Sequence, residues 1–267
     1  MQHVLVRDAA AQIDTQARAQ VVVCGSHGGL YPAWLAARAG VRAALFNDAG
    51  IGRSASGVGG VYWLAGLGIP ACAIDHASAR IADGADMAAN GILSTVNDLA
   101  AALGCRPGQP VREAVAHLAH AHVPHGQAIP DIGETRAAIP NVGHRPAWAL
   151  DSFALLEARD ARSIIVTGSH GALLGGKPDR AVDVDVFAAF FNDAGGGKDG
   201  AGYSRLPALD ERGIAAATVW CGSARIGDGK STYEDGVLSR VNATGTRLGI
   251  GEGMSAREAV ARLLGLA

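Results

Sequence analysis

Val21–Cys24 is an uninterrupted apolar run that ends in Gly-Ser-His-Gly, and Ile164–Val166, followed by Thr167, ends in the same four residues. Short apolar runs bounded by glycine read as strands buried on both faces of a parallel sheet. Val41–Phe46 and Pro70–Ile74 are two further runs of this kind. Between them, Tyr31–Ala39 reads as a helix closed by Gly40, and Val61–Leu67 as a helix ending at Gly68. Residues 2–19 carry Ala9, Ala10, Ile13 and Ala17 at helical spacing and predict a lead-in strand with a short helix. Ile92, Leu93, Val96, Leu99, Ala100 and Leu103 predict a helix over 92–103, with another over Pro110–Leu118. Strand and helix alternating in this way is the pattern of a parallel α/β layer structure.

The pattern occurs twice. Phe46-Asn47-Asp48-Ala49-Gly50 recurs as Phe191-Asn192-Asp193-Ala194-Gly195, and Ser78-Ala79-Arg80-Ile81 as Ser223-Ala224-Arg225-Ile226. The offset is 143 between Ser26 and Ser169, and 145 at Asp48/Asp193, Asp83/Asp228 and Glu113/Glu258, so a two-residue insertion near Lys177–Arg180 separates two registers. The expected fold is therefore α/β: a tandem duplication of a small three-layer βαβαβα unit with parallel strands, the copies related by a pseudo-twofold axis. Residues 1–118 form the first repeat, 119–147 a connecting segment and 148–267 the second repeat, with Asp151 equivalent to Asp8. The connecting segment is less regular and carries Glu134, Arg136, Asn141, His144 and Arg145, a polar set suited either to function or to a linker.

Composition narrows the function classes. A 49% hydrophobic chain with 18% charged residues and a net charge of −2 is globular and offers no basic stripe, so nucleic acid is not an expected partner. No apolar run approaches the length of a membrane span, and the first residues lack the apolar core of a signal peptide, so a cytoplasmic protein without a membrane partner is expected. Cys24, Cys72, Cys105 and Cys221 form no CxxC pair, which argues against a disulfide framework or structural zinc. Gly171–Lys177 resembles part of a nucleotide-binding loop, but Pro178 stands where a Mg²⁺-holding Ser or Thr is needed. No strand is followed by a dinucleotide-binding glycine pattern with its later acid. His117, His120, His122 and His125 cluster near a helix end and read as a solvated tract rather than a metal site.

The repeated loops are the candidates for chemistry. At the carboxyl end of a parallel strand, Ser26 and Ser169 can donate a hydrogen bond or act as nucleophiles, and His27 and His170 can serve as acid, base or metal ligand. The bland alternative is a tight turn with Ser as helix cap. Asp48 and Asp193 can orient a histidine or act as base, and Asn47 and Asn192 can hold an oxygen that gains charge, against the alternative of an Asx turn. Arg80 and Arg225 can clamp an anion or pair with the nearby Asp83 and Asp228. Asn97 and Asn242 are expected to bond the strand-end loops. The repeats also differ. Asp75-His76 stands opposite Trp220-Cys221, and Lys177, Lys198 and Tyr233 occur in the second repeat alone.

These observations point to a hydrolase needing no cofactor and acting on a small polar or anionic molecule. Ser26, His27, Asp48, Ser169, His170 and Asp193 are its candidate catalytic residues, and Asn47, Asn192, Arg80 and Arg225 its substrate-binding residues. The alternatives are a divalent-metal version using His27, His170, Asp48 and Asp193, an isomerase or racemase with a pseudo-symmetric site, and a non-catalytic small-molecule binding protein. A homo-oligomer, in its simplest form a homodimer, is expected.

Overall fold

The computed structural model describes residues 4–124, 126–140 and 145–265. His125, Asn141 and His144 lie outside the described residues. The chain divides into two compact units. Unit 1 comprises Met1–Ile51, Ala55–Gly133 and the short segment Gly197–Asp199; unit 2 comprises Glu134–Gly196, Gly200–Ala267 and Gly52–Ser54.

In unit 1 the strands β1 (Val4–Arg7), β2 (Val21–His27), β3 (Ala43–Asn47), β4 (Ala71–Ile74) and β5 (Leu93–Val96) form a sheet in that order. The first four are parallel and β5 runs antiparallel to β4. Alternate residues of the buried strands serve opposite faces, as a period of two requires. Val22, Cys24, Ala44, Phe46, Ala71 and Ala73 pack on α1 (Leu30–Ala39) and α2 (Gly59–Gly66). Val21, Val23, Ala43, Leu45, Cys72 and Ile74 pack on α3 (Gly84–Asn90), α4 (Asp98–Ala102) and α5 (Val111–Leu118). Gly40 ends α1 in the left-handed conformation (φ 71°), the geometry that favours glycine there.

Unit 2 has a six-stranded sheet built from β6 (Arg136–Ala138), β7 (Ala147–Leu150), β8 (Ile164–His170), β9 (Ala188–Asn192), β10 (Ala215–Val219) and β11 (Leu238–Val241), in the order β11-β10-β9-β8-β7-β6. Strands β7 to β10 are parallel, and both edge strands are antiparallel to their neighbours. Helices α6 (Arg205–Glu211), α7 (Gly229–Asp235), α8 (Ala243–Arg247) and α9 (Ala256–Leu263) flank it. The core again splits by alternation. Ile164, Val166 and Phe190 face Ala256, Ala259 and Val260, whereas Ile165, Ala189 and Phe191 face Leu206 and Leu209.

The three-layer α/β architecture expected from the pattern is present in each unit, as a mixed, mostly parallel sheet. Local differences have physical causes. The helix predicted over 92–103 is a strand followed by α4, because Asn97 breaks the run: its side chain accepts from Ala100 N at 3.0 Å as the helix cap. Residues 25–27, expected as a turn, continue β2 through a register shift between Cys24 and His27, and the same shift occurs in β8. The connecting segment is shared out, since β6 lies inside it and Trp34 Nε1 donates to Pro130 O at 2.9 Å in unit 1. Among the described residues no helix is long and apolar enough to cross a membrane.

Candidate functional site

The glycines of the Gly-Ser-His-Gly stretch serve close backbone approach. A Cβ on Gly25 would lie 2.4 Å from Asp8 O, and one on Gly168 would lie 2.2 Å from Asp228 N. The bulge this permits lets Ala82 N donate to Gly25 O and Gly227 N to Gly168 O, both at 2.8 Å. Ser26 Oγ accepts from Ala10 N at 2.9 Å, and Ser169 Oγ from Phe153 N at 2.8 Å, so both serines tie down the lead-in turns. His27 is buried, with Nδ1 accepting from Gly29 N at 3.1 Å, and burial pushes its pKa down to about 4. His170 Nδ1 accepts from Ala172 N at 3.3 Å.

The sheet register sets His27 beside Asn47, and His170 beside Asn192. Each asparagine is fully buried and bridges two loops: Oδ1 accepts from Ala49 N or Ala194 N at 2.9 Å, and Nδ2 donates to Ala79 O or Ala224 O at 3.3 Å. The next turn is strained. Ala49 and Ala194 both have φ of 50°, a conformation alanine avoids, and each is followed by a left-handed glycine. This turn folds the backbone N–H groups of Gly50 and Gly195 onto the carboxylates of Asp48 and Asp193, each at 3.0 Å.

Asp48 is the centre of the unit 1 site. Because β3 and β4 are parallel neighbours, the loop after β4 passes over the end of β3. Asp48 Oδ1 therefore accepts from His76 N at 3.0 Å and lies 2.9 Å from His76 Nδ1. The carboxylate is almost fully buried, whereas the imidazole keeps about 29% exposure. Burial raises the Asp48 pKa, but the hydrogen bond and charge of His76, with help from Ser94 and Gly50 N–H, more than offset this and hold it below the usual carboxylate value. Ser94 Oγ is near enough to contribute to that lowering but makes no hydrogen bond of full geometry.

Asp75 also reaches His76, with Oδ1 3.3 Å from Nδ1. Asp48, Asp75 and His76 are the group among the described residues whose donor atoms converge in the manner of metal ligands, all within 4.8 Å. His117, His120 and His122 do not join such a group.

Unit 2 keeps the scaffold and changes the chemistry. Asp193 Oδ1 accepts from Cys221 N at 2.9 Å, as Asp48 does from His76 N, but the side chain is now a buried thiol. Burial first, and then the Asp193 charge, push its pKa up to about 11. The thiol is therefore protonated at neutral pH.

The arginines are held by carboxylates. Arg80 meets Asp199 at 2.9 Å, Asp83 at 3.3 Å and Asp86 at 3.4 Å, and Arg225 meets Asp228 at 2.7 Å. Asp83 and Asp228 also cap α3 and α7. Asp86, nearly buried, takes Lys198 Nζ at 2.8 Å within unit 1. Asp86 also accepts from Arg80 N at 2.8 Å, and its counterpart Ser231 keeps that bond, accepting from Arg225 N at 3.1 Å.

The structure thus brings His27, Asn47 and Asp48 together in unit 1, and His170, Asn192 and Asp193 in unit 2. To Asp48 it adds His76, a residue marked in the sequence by its difference from Cys221. A cleft of about 370 Å³ beside Arg18, Gly40 and Pro124 lies at the amino ends of β2 and β3 and touches none of these residues. The hydrogen-bonded chemistry is the better guide to the site than that shallow surface. No protein-family model, curated protein or solved structure matches the chain.

Proposed function

We propose that the chain is an enzyme, a hydrolase of a small polar or anionic molecule that needs no organic cofactor, with Asp48 and His76 as its acid–base pair. The observation that carries this reading is the 2.9 Å contact between His76 Nδ1 and a buried carboxylate whose pKa is held low. An ionised Asp48 selects the tautomer with hydrogen on Nδ1, which puts the basic lone pair on Nε2. In that state His76 takes a proton from water as it attacks, and returns it to the leaving group. Asp48 fixes the ring and stabilises the imidazolium that forms, a division of labour familiar from catalytic triads. Ser26, His27 and Asn47 order the loops around the pair, and an anionic group on the substrate would have to displace Asp199 from Arg80. In unit 2 the protonated Cys221 thiol gives no equivalent base, so turnover is assigned to unit 1. The substrate is a small molecule, and a homo-oligomer remains the expected assembly.

A metal-dependent version is favoured by one observation, the convergence of Asp48, Asp75 and His76. One oxygen of each carboxylate already accepts N–H groups, however. Asp48 Oδ1 takes Gly50 N and His76 N, and Asp75 Oδ1 takes Ala77 N at 2.8 Å. An ion held by His76 Nδ1 would also have to replace the 2.9 Å hydrogen bond to Asp48, which favours the dyad.

The test is hydrolysis of p-nitrophenyl acetate, a lactone, a cyclic amide and p-nitrophenyl phosphate by the wild type and the Asp48→Asn, His76→Ala and Cys221→Ala variants, with circular dichroism as a control for folding. Wild type and Cys221→Ala should turn over at least one substrate, and the two dyad variants should lose at least about a hundredfold, the scale of general acid–base catalysis. Full activity in folded His76→Ala protein sinks the reading. Activity lost on dialysis against EDTA and restored by a divalent ion would transfer it to the metal version.

A further inference from the structure

On one face of its sheet, unit 2 departs from unit 1. The helix α1 has no counterpart there; after His170 the chain makes two 3-10 turns, Leu174–Gly176 and Pro178–Arg180, with 175–180 exposed. Arg205 stands where unit 1 has Gly60. A Cβ on Gly60 would lie 2.2 Å from Gly29 O and 2.6 Å from the Ala33 side chain, so α1 leaves no space for a side chain at that position. In unit 2 a whole guanidinium occupies the interior.

Its setting is unusual for a charge. Arg205 is 7% exposed and makes no ion pair among the described residues. Nη1 donates to Ala181 O at 2.8 Å and Nη2 to Ala172 O at 2.9 Å, while the buried Nε has no partner. Phe191 and Phe153 lie 4.9 and 5.0 Å from Cζ. Burial lowers its pKa to about 10, which still leaves it charged at neutral pH. A buried cation is costly to keep; here the charge of Asp183 offsets part of that cost, and the hydrogen bonds go to the carbonyls of Ala172 and Ala181, the buried ends of a strap exposed over 175–180.

We propose that Arg205 anchors a second ligand site in unit 2, for a carboxylate carried on a flat apolar body, and that the strap 172–181 is the lid over it. The two aromatic rings suit the apolar body, and the guanidinium with its unused Nε–H suits the carboxylate. The strap carbonyls now occupy the positions of the missing acceptor oxygens.

The strap is buried at its ends, Ala172, Leu173 and Ala181, and exposed between them at 175–180. Gly176 N, Lys177 N, Arg180 N and Ala181 N donate to strap carbonyls, so its tip carries its own hydrogen bonds. Besides Arg205, its ends are held by the burial of Ala172, Leu173 and Ala181 and by Leu173 N donating to Ser204 Oγ at 2.9 Å, contacts that opening has to release. The glycine-rich run Gly171–Lys177 is not itself a phosphate cradle, because the N–H groups of Gly171, Ala172, Leu173, Gly176 and Lys177 all donate within the protein. Anion recognition on this face falls to Arg205.

Benzoate is the probe, with benzamide as its neutral isostere. Isothermal titration should show saturable benzoate binding to the wild type, at least about tenfold weaker for benzamide and for Arg205→Met. Hydrogen exchange over 172–181 should rise in the wild type on addition of benzoate, as the carbonyls are released. Arg205→Lys keeps the charge but loses the fork, and should weaken benzoate by a similar factor if Arg205→Met does not fold. Absent benzoate binding, equal binding by a folded variant, or strap exchange that ignores benzoate each overturns the proposal.

Discussion

The burial of His27 predicts a specific acid sensitivity for unit 1. The imidazole is 9% exposed, Gly29 N donates to its Nδ1 at 3.1 Å, and its pKa falls from 6.5 to about 4. Protonation in the folded state would put an uncompensated charge into the interior and set it against that N–H. The unfolded chain therefore takes up a proton near pH 6.5 that the folded chain refuses until about pH 4. Stability is complete above 6.5 and is lost as pH falls through this window, by about 3 kcal/mol in full and about 2.5 kcal/mol by about pH 4.5, at roughly 1.4 kcal/mol for each tenfold change. The perturbation is His27→Asn, which keeps an acceptor for Gly29 N–H and removes the titration. Urea unfolding of both proteins between about pH 7.5 and 4.5 should give a wild-type curve that steepens relative to the variant by that amount. Parallel curves, or a His27 ring resonance titrating near 6.5, would refute the reasoning.

Two further expectations follow from the loop geometry. A Cβ at Gly57 would lie 2.1 Å from Asp48 O, and one at Gly202 would lie 1.9 Å from Asp193 O. Gly57→Ala and Gly202→Ala should each destabilise their unit by about 2–3 kcal/mol in urea unfolding, with Gly57→Ala also disturbing the dyad turn. Asn97 Nδ2 donates to Val61 O and Ile69 O at 3.0 Å, and Asn242 Nδ2 to Ile214 O at 2.9 Å, while each Oδ1 caps a helix. Asn97→Ala and Asn242→Ala should therefore cost about 2 kcal/mol or more each by calorimetry, since a cap is lost and buried carbonyls are stranded.

The sequence by itself determined the layers and the repeated loops. Short apolar runs such as Val21–Cys24, too brief for helices and bounded by glycine, read as buried strands, and their period of two divides them between the faces seen in the core. Repetition at a constant offset picked out Asp48 with Asp193, and Asn97 with Asn242 as loop-bonding residues. Where local patterns were ambiguous they misled: Leu93–Val96 fits helical spacing and forms an antiparallel edge strand, because Asn97 caps the helix after it and the open edge of β4 takes the pairing.

The tertiary structure decided which polar side chains meet. Ser26 and His27 are adjacent in sequence, yet the bulge turns the serine to Ala10 N and His27 to Gly29 N, and burial moves the histidine out of the neutral range. His76 is 28 residues from Asp48 and was visible only as a difference from Cys221. What joins them is the parallel pairing of β3 with β4, where Asp48 N donates to Ile74 O at 2.8 Å and the following loop is carried onto the carboxylate. Periodicity and repetition are local properties of a chain, so they are legible residue by residue. A hydrogen bond between distant loops depends on which strands become neighbours, and that is settled only when the sheet forms.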